Sequence, residues 1–260
     1  MRRKLWYNEV NTKKEKETMQ FSLIIPTYNE TRHLKDSLPA LSAFFETHFK
    51  DVDYEVLFID DGSRDESAAM IENFGHPAFK VLSYGQNRGK GYAVRYGMLH
   101  AKGDIRIFTD CDLAYGTDAI YEMYTRLLET GAGMSIASRR LHKEGYGDYT
   151  FMRKLMSVVY YTTLKIFTSL KVSDSQCGLK GFTAKAAEEI FSLCEADRFA
   201  FDIEVILFAQ SLGTKIDEMP AKVLANDETT VSAAEPFRML REAMAIKKRV
   251  KRKMKEIKNT

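Results

Sequence analysis

Three observations predict an α/β fold in which a mostly parallel sheet carries helices on both faces. From residue 21 to about 138, apolar β-rich runs alternate with stretches of helical periodicity, as a parallel sheet covered by helices requires. A chain of 260 residues is long enough to bury one full core of this kind. Its hydrophobic fraction of 45% and only five prolines suit a globular protein rather than a disordered one.

The elements follow in order. Residues 21–25, Phe-Ser-Leu-Ile-Ile, read as the first strand. Residues 31–47 read as a helix because Leu34, Leu38, Leu41 and Phe45 recur on one face. Residues 54–59 supply the second strand, followed by a short helix from about 65 to 73 and a strand at 79–83. A helix at 90–101 precedes the fourth strand, 104–109, and a helix at 118–129 leads to a strand at 133–138. After residue 140 the pattern changes. Residues 145–148, Gly-Tyr-Gly-Asp, read as a mobile loop and 151–170 as an amphipathic helix. Then come a strand at 178–183, helices at 184–194 and 201–212, and a closing strand at 215–219. No repeat or low-complexity linker interrupts the chain, so residues 21–234 read as one domain behind a basic extension, 1–20. The tail, 235–260, places Ala243, Ile246, Val250, Met254 and Ile257 on one helical stripe with cations around it.

The net charge of +3 conceals a segregation. Residues 237–260 carry +8 and residues 1–20 carry +3, which leaves −8 on the body. An acidic body with basic ends argues against nucleic acid as partner, because that partner needs positive charge on the binding face itself. Cys111, Cys177 and Cys194 are odd in number and lack metal-ligand spacing, so neither a disulfide framework nor a zinc site is expected, and a reducing cytoplasm fits. His33, His48, His76, His100 and His142 show no metal spacing either and receive no role. No secretory signal is read in the charged start Met1-Arg-Arg-Lys. The most apolar stretch, between Lys154 and Lys165, is about half the length that a helix needs to cross a bilayer.

In a parallel sheet, ligands bind outside the carboxyl ends of the strands, and the distinctive polar clusters fall there. The first strand ends in Pro26-Thr-Tyr-Asn-Glu30, the second in Asp60-Asp-Gly-Ser63 and the fourth in Asp110-Cys-Asp112. An alternating strand would direct Asp110 and Asp112 to one side and Cys111 away. Mg2+ prefers such oxygen ligands and takes one or two carboxylates together with substrate phosphates. Asn87-Arg-Gly-Lys-Gly91 opens a helix, where backbone N–H groups, the helix dipole and Lys90 attract an anion. Each piece alone also fits a turn, a cap or a glycine-tightened loop. Their succession on consecutive strand ends is what favours a site.

These motifs resemble the inverting GT-A glycosyltransferases, and among them the dolichyl-phosphate β-glucosyltransferase and polyprenyl-phosphate sugar transferase family. The resemblance covers residues 21 to about 220. Its strongest segment is Asn87-Arg-Gly-Lys-Gly-Tyr-Ala-Val-Arg-Tyr-Gly-Met-Leu99, supported by Pro26-Thr-Tyr-Asn-Glu30, Ile59-Asp-Asp-Gly-Ser63, Ser138-Arg139 and Asp174-Ser-Gln-Cys-Gly-Leu-Lys-Gly-Phe182. It implies a single Rossmann-like GT-A domain. Pro26, Tyr28, Glu30 and one or both of Asp60 and Asp61 would embrace the nucleoside, with Lys90 near the diphosphate. Asp110 would face the ribose and diphosphate, and Asp112 would be the main ligand of Mg2+ or Mn2+. Ala114 departs from related enzymes that supply a polar group to the metal at that position. Arg139, Arg153, Ser157 and Gln176 would serve the acceptor phosphate, Gln176 alternatively lying beside the sugar or metal. Asp202, with Glu204 second, is the candidate acceptor-side carboxylate.

The implied reaction moves glucose from UDP-glucose onto a polyprenyl or dolichyl phosphate at the membrane surface. A GDP-mannose donor and a soluble acceptor deprotonated by Asp202 are the alternatives. A sugar-phosphate nucleotidyltransferase is more remote, because a Gly-rich loop is missing after the first strand. A scaffold acting through its basic tail is disfavoured by the acidic body. The tail is expected to dock on anionic lipid, which places the protein in the cytoplasm, peripheral on a membrane face.

Overall fold

The structure, a computed structural model, describes residues 20–145, 161–224 and 235–259, the last stretch with side chains from residue 241. In chain order the elements are β1 (Phe21–Thr27), α1 (Thr31–His48), β2 (Tyr54–Asp60), α2 (Ser67–Phe74), β3 (Phe79–Ser83), α3 (Lys90–His100), β4 (Ile105–Phe108) and α4 (Thr117–Thr130). They continue with β5 (Met134–Ser138), β6 (Lys180–Thr183), α5 (Ala184–Phe191), α6 (Phe201–Leu212), β7 (Ile216–Pro220) and α7 (Glu235–Lys258). Residues 161–168 are helical as well, within the helix expected at 151–170. The rest of that helix up to residue 160, and the loop expected at 145–148 apart from Gly145, lie outside the described residues.

Among the described residues the sheet has seven strands in the order β3-β2-β1-β4-β6-β5-β7. β1 pairs in parallel with β2 and β4, β2 with β3, and β5 with β7. β6 runs antiparallel to both of its neighbours. That reversal was not legible, since about forty residues separate β5 from β6 and a chain of that length can return in either direction.

Strand residues alternate between two buried faces, so the strands read as continuous apolar runs. Leu23, Ile25, Val56, Phe58 and Ile107 pack beneath α1 and α4, with Leu34, Leu38, Leu41 and Phe45 of α1 meeting them. Ile24, Leu57, Ile59 and Phe108 face the opposite side, under α3, α5 and α6. Arg106, like Ser22, Glu55 and Lys180, is a polar exception on this second face. It is buried, donating to the carbonyls of Gly103 (3.1 Å) and Met98 (2.8 Å) and pairing with Glu188 of α5 (2.8 Å).

The tail departs from a free amphipathic helix. Ala243, Ile246 and Val250 are buried in the same core as Ile190 and Phe208, and Met254 packs at its margin. Only Ile257 at the end of the stripe is substantially exposed, at 46%. The apolar face of α7 is therefore used by the domain itself.

α3 lies directly on β1 and β2 because Gly97 has no side chain. A Cβ there would sit 2.5 Å from Ile24 Cγ2 and 2.9 Å from Ile59 Cγ1. Gly97→Val is expected to lower the unfolding free energy by about 1–3 kcal/mol through overpacking. Urea denaturation measures this, and an unchanged midpoint would mean that α3 rides farther from the sheet.

Candidate active site

β1 sits between β2 and β4, which makes its carboxyl end the point where strand order reverses and a crevice opens. A cavity of about 400 Å³ occupies that crevice. Pro26, Tyr28 and Glu30 reach it from the end of β1, Asp61 from the end of β2, Lys90 from the first turn of α3, and Asp110 and Asp112 from the turn after β4. These seven sequence-predicted residues share one wall. Tyr28 is 41% exposed, which leaves its ring open to stack on a flat ligand.

Asp60 and Asp61 play different parts. Asp60 does not line the cavity. One of its oxygens accepts from the Ser63 N–H (3.0 Å) and the other from the Ser83 hydroxyl (3.0 Å), so it ties the β2 and β3 ends together. Asp61 is buried and organises the loop before α3. It accepts from the Tyr84 hydroxyl (2.7 Å) and from the N–H groups of Arg88 (2.7 Å) and Gly89 (2.8 Å). Burial and the adjacent Asp61 charge push the Tyr84 phenol well above its ordinary value.

The pair after β4 is set by a turn rather than by strand alternation, since β4 ends at Phe108. Cys111 packs inward while Asp110 and Asp112 stay half-exposed over the cavity. The Lys90 ammonium pairs with the Asp110 carboxylate. Burial acts to lower the Lys90 value, but Asp110, Asp202 and Asp112 together hold it above the ordinary lysine range. Burial and then the Asp110 charge raise Asp112 above the ordinary aspartate range. One Asp112 oxygen accepts from the Ala114 N–H at 3.1 Å, so position 114 contributes only its backbone.

This donor set fits a hard divalent cation in part. Lys90 already stands where positive charge is needed, and Asp110 and Asp112 are oxygen donors. Among the described residues, no group of three or more His, Cys, Asp or Glu side chains is placed to hold a metal ion. Phosphate oxygens and water would complete the shell.

Asp202, expected as a catalytic carboxylate, does not line the cavity; it lies behind it. Its Oδ1 accepts from Lys180 Nζ at 2.5 Å, and that ammonium, wholly buried, also donates to the Cys177 carbonyl at 2.5 Å. Burial raises the Asp202 value against the opposing pull of Lys180 and Lys90. Glu204 is buried on the far side of α6, where it accepts from the N–H groups of Glu195 and Ala196.

Arg139 is clamped rather than open. Its Nε and Nη2 donate to the two oxygens of Asp174 at 2.7 and 2.9 Å. Gln176 follows in the same loop, its N–H bonded to Asp174 (3.1 Å) and its buried Nε2 without a protein partner among the described residues. Arg153 and Ser157 lie outside the described residues.

Several lining or supporting residues escaped sequence reasoning. His33 pairs with Glu30 at 2.5 Å on the cavity wall, although its ring was given no role. The i,i+3 spacing of Glu30 and His33 across a helix start was the available signal. Arg198 and Phe199 come from a loop about one hundred residues distant, and no local pattern marks them. Lys180 stood within a recognised motif but read as a strand residue.

A family model described as Glycosyl transferase family 2 matches residues 22–191. Over 211 residues the chain is 29% identical to a dolichyl-phosphate beta-glucosyltransferase of Trichomonas vaginalis, covering 77% of this chain and 63% of that protein. It is 29% identical over 218 residues to the Drosophila melanogaster protein of the same name, covering 79% and 67%. For the Saccharomyces cerevisiae protein of that name the identity is 29% over 230 residues, covering 81% and 69%. The chain thus spans about two thirds of the length of these relatives. Among solved structures, glucosyl-3-phosphoglycerate synthase from Mycobacterium tuberculosis, in complex with Mn2+, uridine diphosphate and glucosyl-3-phosphoglycerate, superposes with a TM-score of 0.62 at 19% identity. It covers 88% of this chain and 78% of that one, a likeness of fold.

The Asp174–Arg139 pair has a pH signature. Burial opposes ionisation of Asp174, but the guanidinium and its hydrogen bonds hold the carboxyl below the ordinary aspartate value. A depressed folded value contributes stability that is fully present above about pH 4 and is lost as pH falls through the folded value. Asp174→Asn is therefore expected to flatten the acid limb of a stability–pH curve below about pH 4, measured by urea unfolding across pH. An unaltered limb would mean that the pair does not form.

Proposed function

This chain belongs to glycosyl transferase family 2, and we propose that it transfers glucose from UDP-glucose to dolichyl phosphate with inversion at the anomeric carbon. Its α/β sheet has the GT-A fold. The observation that carries the reading is the convergence of Asp110, Asp112 and Lys90 on one cavity at the β1/β4 crevice. The sugar and the acceptor are argued from the relatives that carry the dolichyl-phosphate beta-glucosyltransferase name.

Each residue has a task in this reading. Tyr28 and Pro26 offer surface to the base, and Asp61 fixes the loop that presents Lys90. Lys90, at the amino end of α3, exchanges Asp110 for the donor diphosphate, where the helix dipole adds to its charge. When bound, a divalent cation held by Asp112 and Asp110 would supply Lewis-acid neutralisation of the leaving diphosphate. An acceptor phosphate oxygen attacks the anomeric carbon opposite the diphosphate, whose C–O bond breaks as UDP leaves with the electron pair. That oxygen is largely anionic near neutral pH, given a second phosphate pKa of about 6, so no strong base is needed. Asp202 agrees with this, being buried against Lys180 as a charge-holding group rather than offered to a hydroxyl.

The test is incubation of the chain with Mn2+, dolichyl phosphate and a panel of nucleotide sugars. UDP release with formation of a glucosyl lipid is expected from UDP-glucose. Asp112→Ala is expected to abolish it, while Asp202→Asn should fall short of the roughly 10²–10⁴-fold loss that removing a general base causes. Sugar transfer only to a soluble hydroxyl acceptor, with Asp202→Asn inactive, would overturn the lipid reading.

Among the described residues, no helix is long and apolar enough to cross a membrane. Arg241, Lys248, Lys251, Lys255 and Lys258 are exposed along α7 and suit anionic lipid at about 1 kcal/mol per cation. This supports peripheral docking on a cytoplasmic membrane face. Three buried free cysteines suit a reducing compartment. Because Ala243, Ile246 and Val250 belong to the core, deleting the tail would probe folding as well as docking. The informative variant is Lys248→Glu with Lys251→Glu and Lys255→Glu. It should lose salt-sensitive co-sedimentation with phosphatidylserine vesicles, and sedimentation equal to the parent would sink the idea.

A further inference from the structure

Ion pairs and backbone hydrogen bonds together join the basic tail to the rim of the cavity, and the geometry points to Arg249 as a positioning residue for the donor site. Arg249 donates from Nε and Nη2 to Oε1 of Glu204, at 2.7 and 2.6 Å. Glu204 is wholly buried in the first turn of α6. Its other oxygen accepts from the backbone N–H groups of Glu195 (2.8 Å) and Ala196 (2.6 Å). One turn farther along α7, Lys253 pairs with Glu195 at 2.5 Å and donates to the Leu193 carbonyl at 2.9 Å. The tail thus grips the loop before α6 from behind, directly at Leu193 and Glu195 and indirectly through Glu204.

The front of that loop meets the nucleotide-binding motif. The Asp197 carbonyl accepts from the Tyr92 N–H (3.1 Å), and its carboxylate pairs with Arg95 of α3 (2.8 Å). Arg198 and Phe199 turn into the cavity. Contact is tight enough to require glycine on both sides of Lys90. A Cβ at Gly89 would meet the Asp197 carbonyl oxygen at 2.5 Å, and one at Gly91 would meet that of Ala196 at 2.4 Å. The loop and the Asn87–Gly91 segment therefore form one lip, and its position is transmitted from the tail. Buried Glu204 needs a cation to stay in place, and the planar guanidinium holds it in a fixed direction that an ammonium would not. Arg249 in this way sets the backbone of residues 195–199 and, through it, the placement of Arg198, Phe199 and Lys90.

The inference rests on reading the cavity as a nucleoside-diphosphate site, and its test separates the two. In the full chain, Arg249→Met and Arg249→Lys are compared by amide hydrogen exchange and by titration with UDP and Mn2+. For Arg249→Met, exchange at the Glu195 and Ala196 amides should accelerate roughly tenfold or more as the local hold is lost. UDP Kd and donor KM should rise roughly tenfold with kcat nearly unchanged, the pattern of lost uniform binding. Arg249→Lys should recover only part of both effects, because an ammonium neutralises Glu204 without fixing its direction. If circular dichroism shows Arg249→Met unfolded, Arg249→Lys carries the test with shifts of roughly threefold. Parental exchange rates in a folded variant would overturn the hold on the loop. Faster exchange with unchanged UDP affinity would overturn its link to the site. If the parent chain itself fails to bind UDP, the donor reading falls, and exchange still decides whether Arg249 sets the loop.

Discussion

Carboxylates crowded at the carboxyl edge of a sheet must be neutralised or they drive one another out of the fold, and the cavity takes its form from how that is met. Asp61 is satisfied by two backbone N–H groups and a phenol, which orders the loop before α3. Asp110 takes Lys90, Asp202 takes Lys180, and Asp174 takes the fork of Arg139. Asp112 is left with one backbone N–H and a value raised by burial and its neighbour. It is the member of the set with most to gain from a cation brought in with the donor. Metal and nucleotide would then reinforce each other, because the protein alone offers few ligands.

The same logic separates carboxylates that act from carboxylates that hold. Asp202 and Glu204 lie two residues apart on α6 but face opposite duties. Asp202, behind the cavity, shares a charge run with Lys180 and Lys90, whereas Glu204 anchors the loop before α6 and pairs with a cation of the tail. A helix so apolar that nine of its twelve residues are buried places charge only where both ends are answered. The basic tail is consequently part of the domain's interior on one face and a cationic surface on the other.

Most of the fold was readable from period alone. The strand and helix positions of α1 through β5 depend on local alternation, which a sequence carries directly. The site was readable as a set of strand ends, and seven of its residues do share a wall. The residues that escaped are of another kind. Arg198 and Phe199 arrive from a distant loop, and Lys180 is recognisable as a counter-ion only once β6 is seen to run antiparallel beside β4. Asp60 and Arg139, assigned to ligands by the resemblance, are each also held by internal partners that no local pattern announced.

The sequence by itself determined the layered α/β architecture, the order of the motifs and the placement of Asp110 and Asp112 beyond the fourth strand. Tertiary structure alone decided the pairing of charges: Lys90 with Asp110, Lys180 with Asp202, Arg249 with Glu204. The physical reason is range. Periodicity and turn chemistry act over a few residues, whereas neutralising a buried charge depends on which side chain, however far along the chain, the packing brings within about 3 Å. The run Asp110-Cys-Asp112 therefore announced a site, and the cations folded against it settled what each carboxylate does.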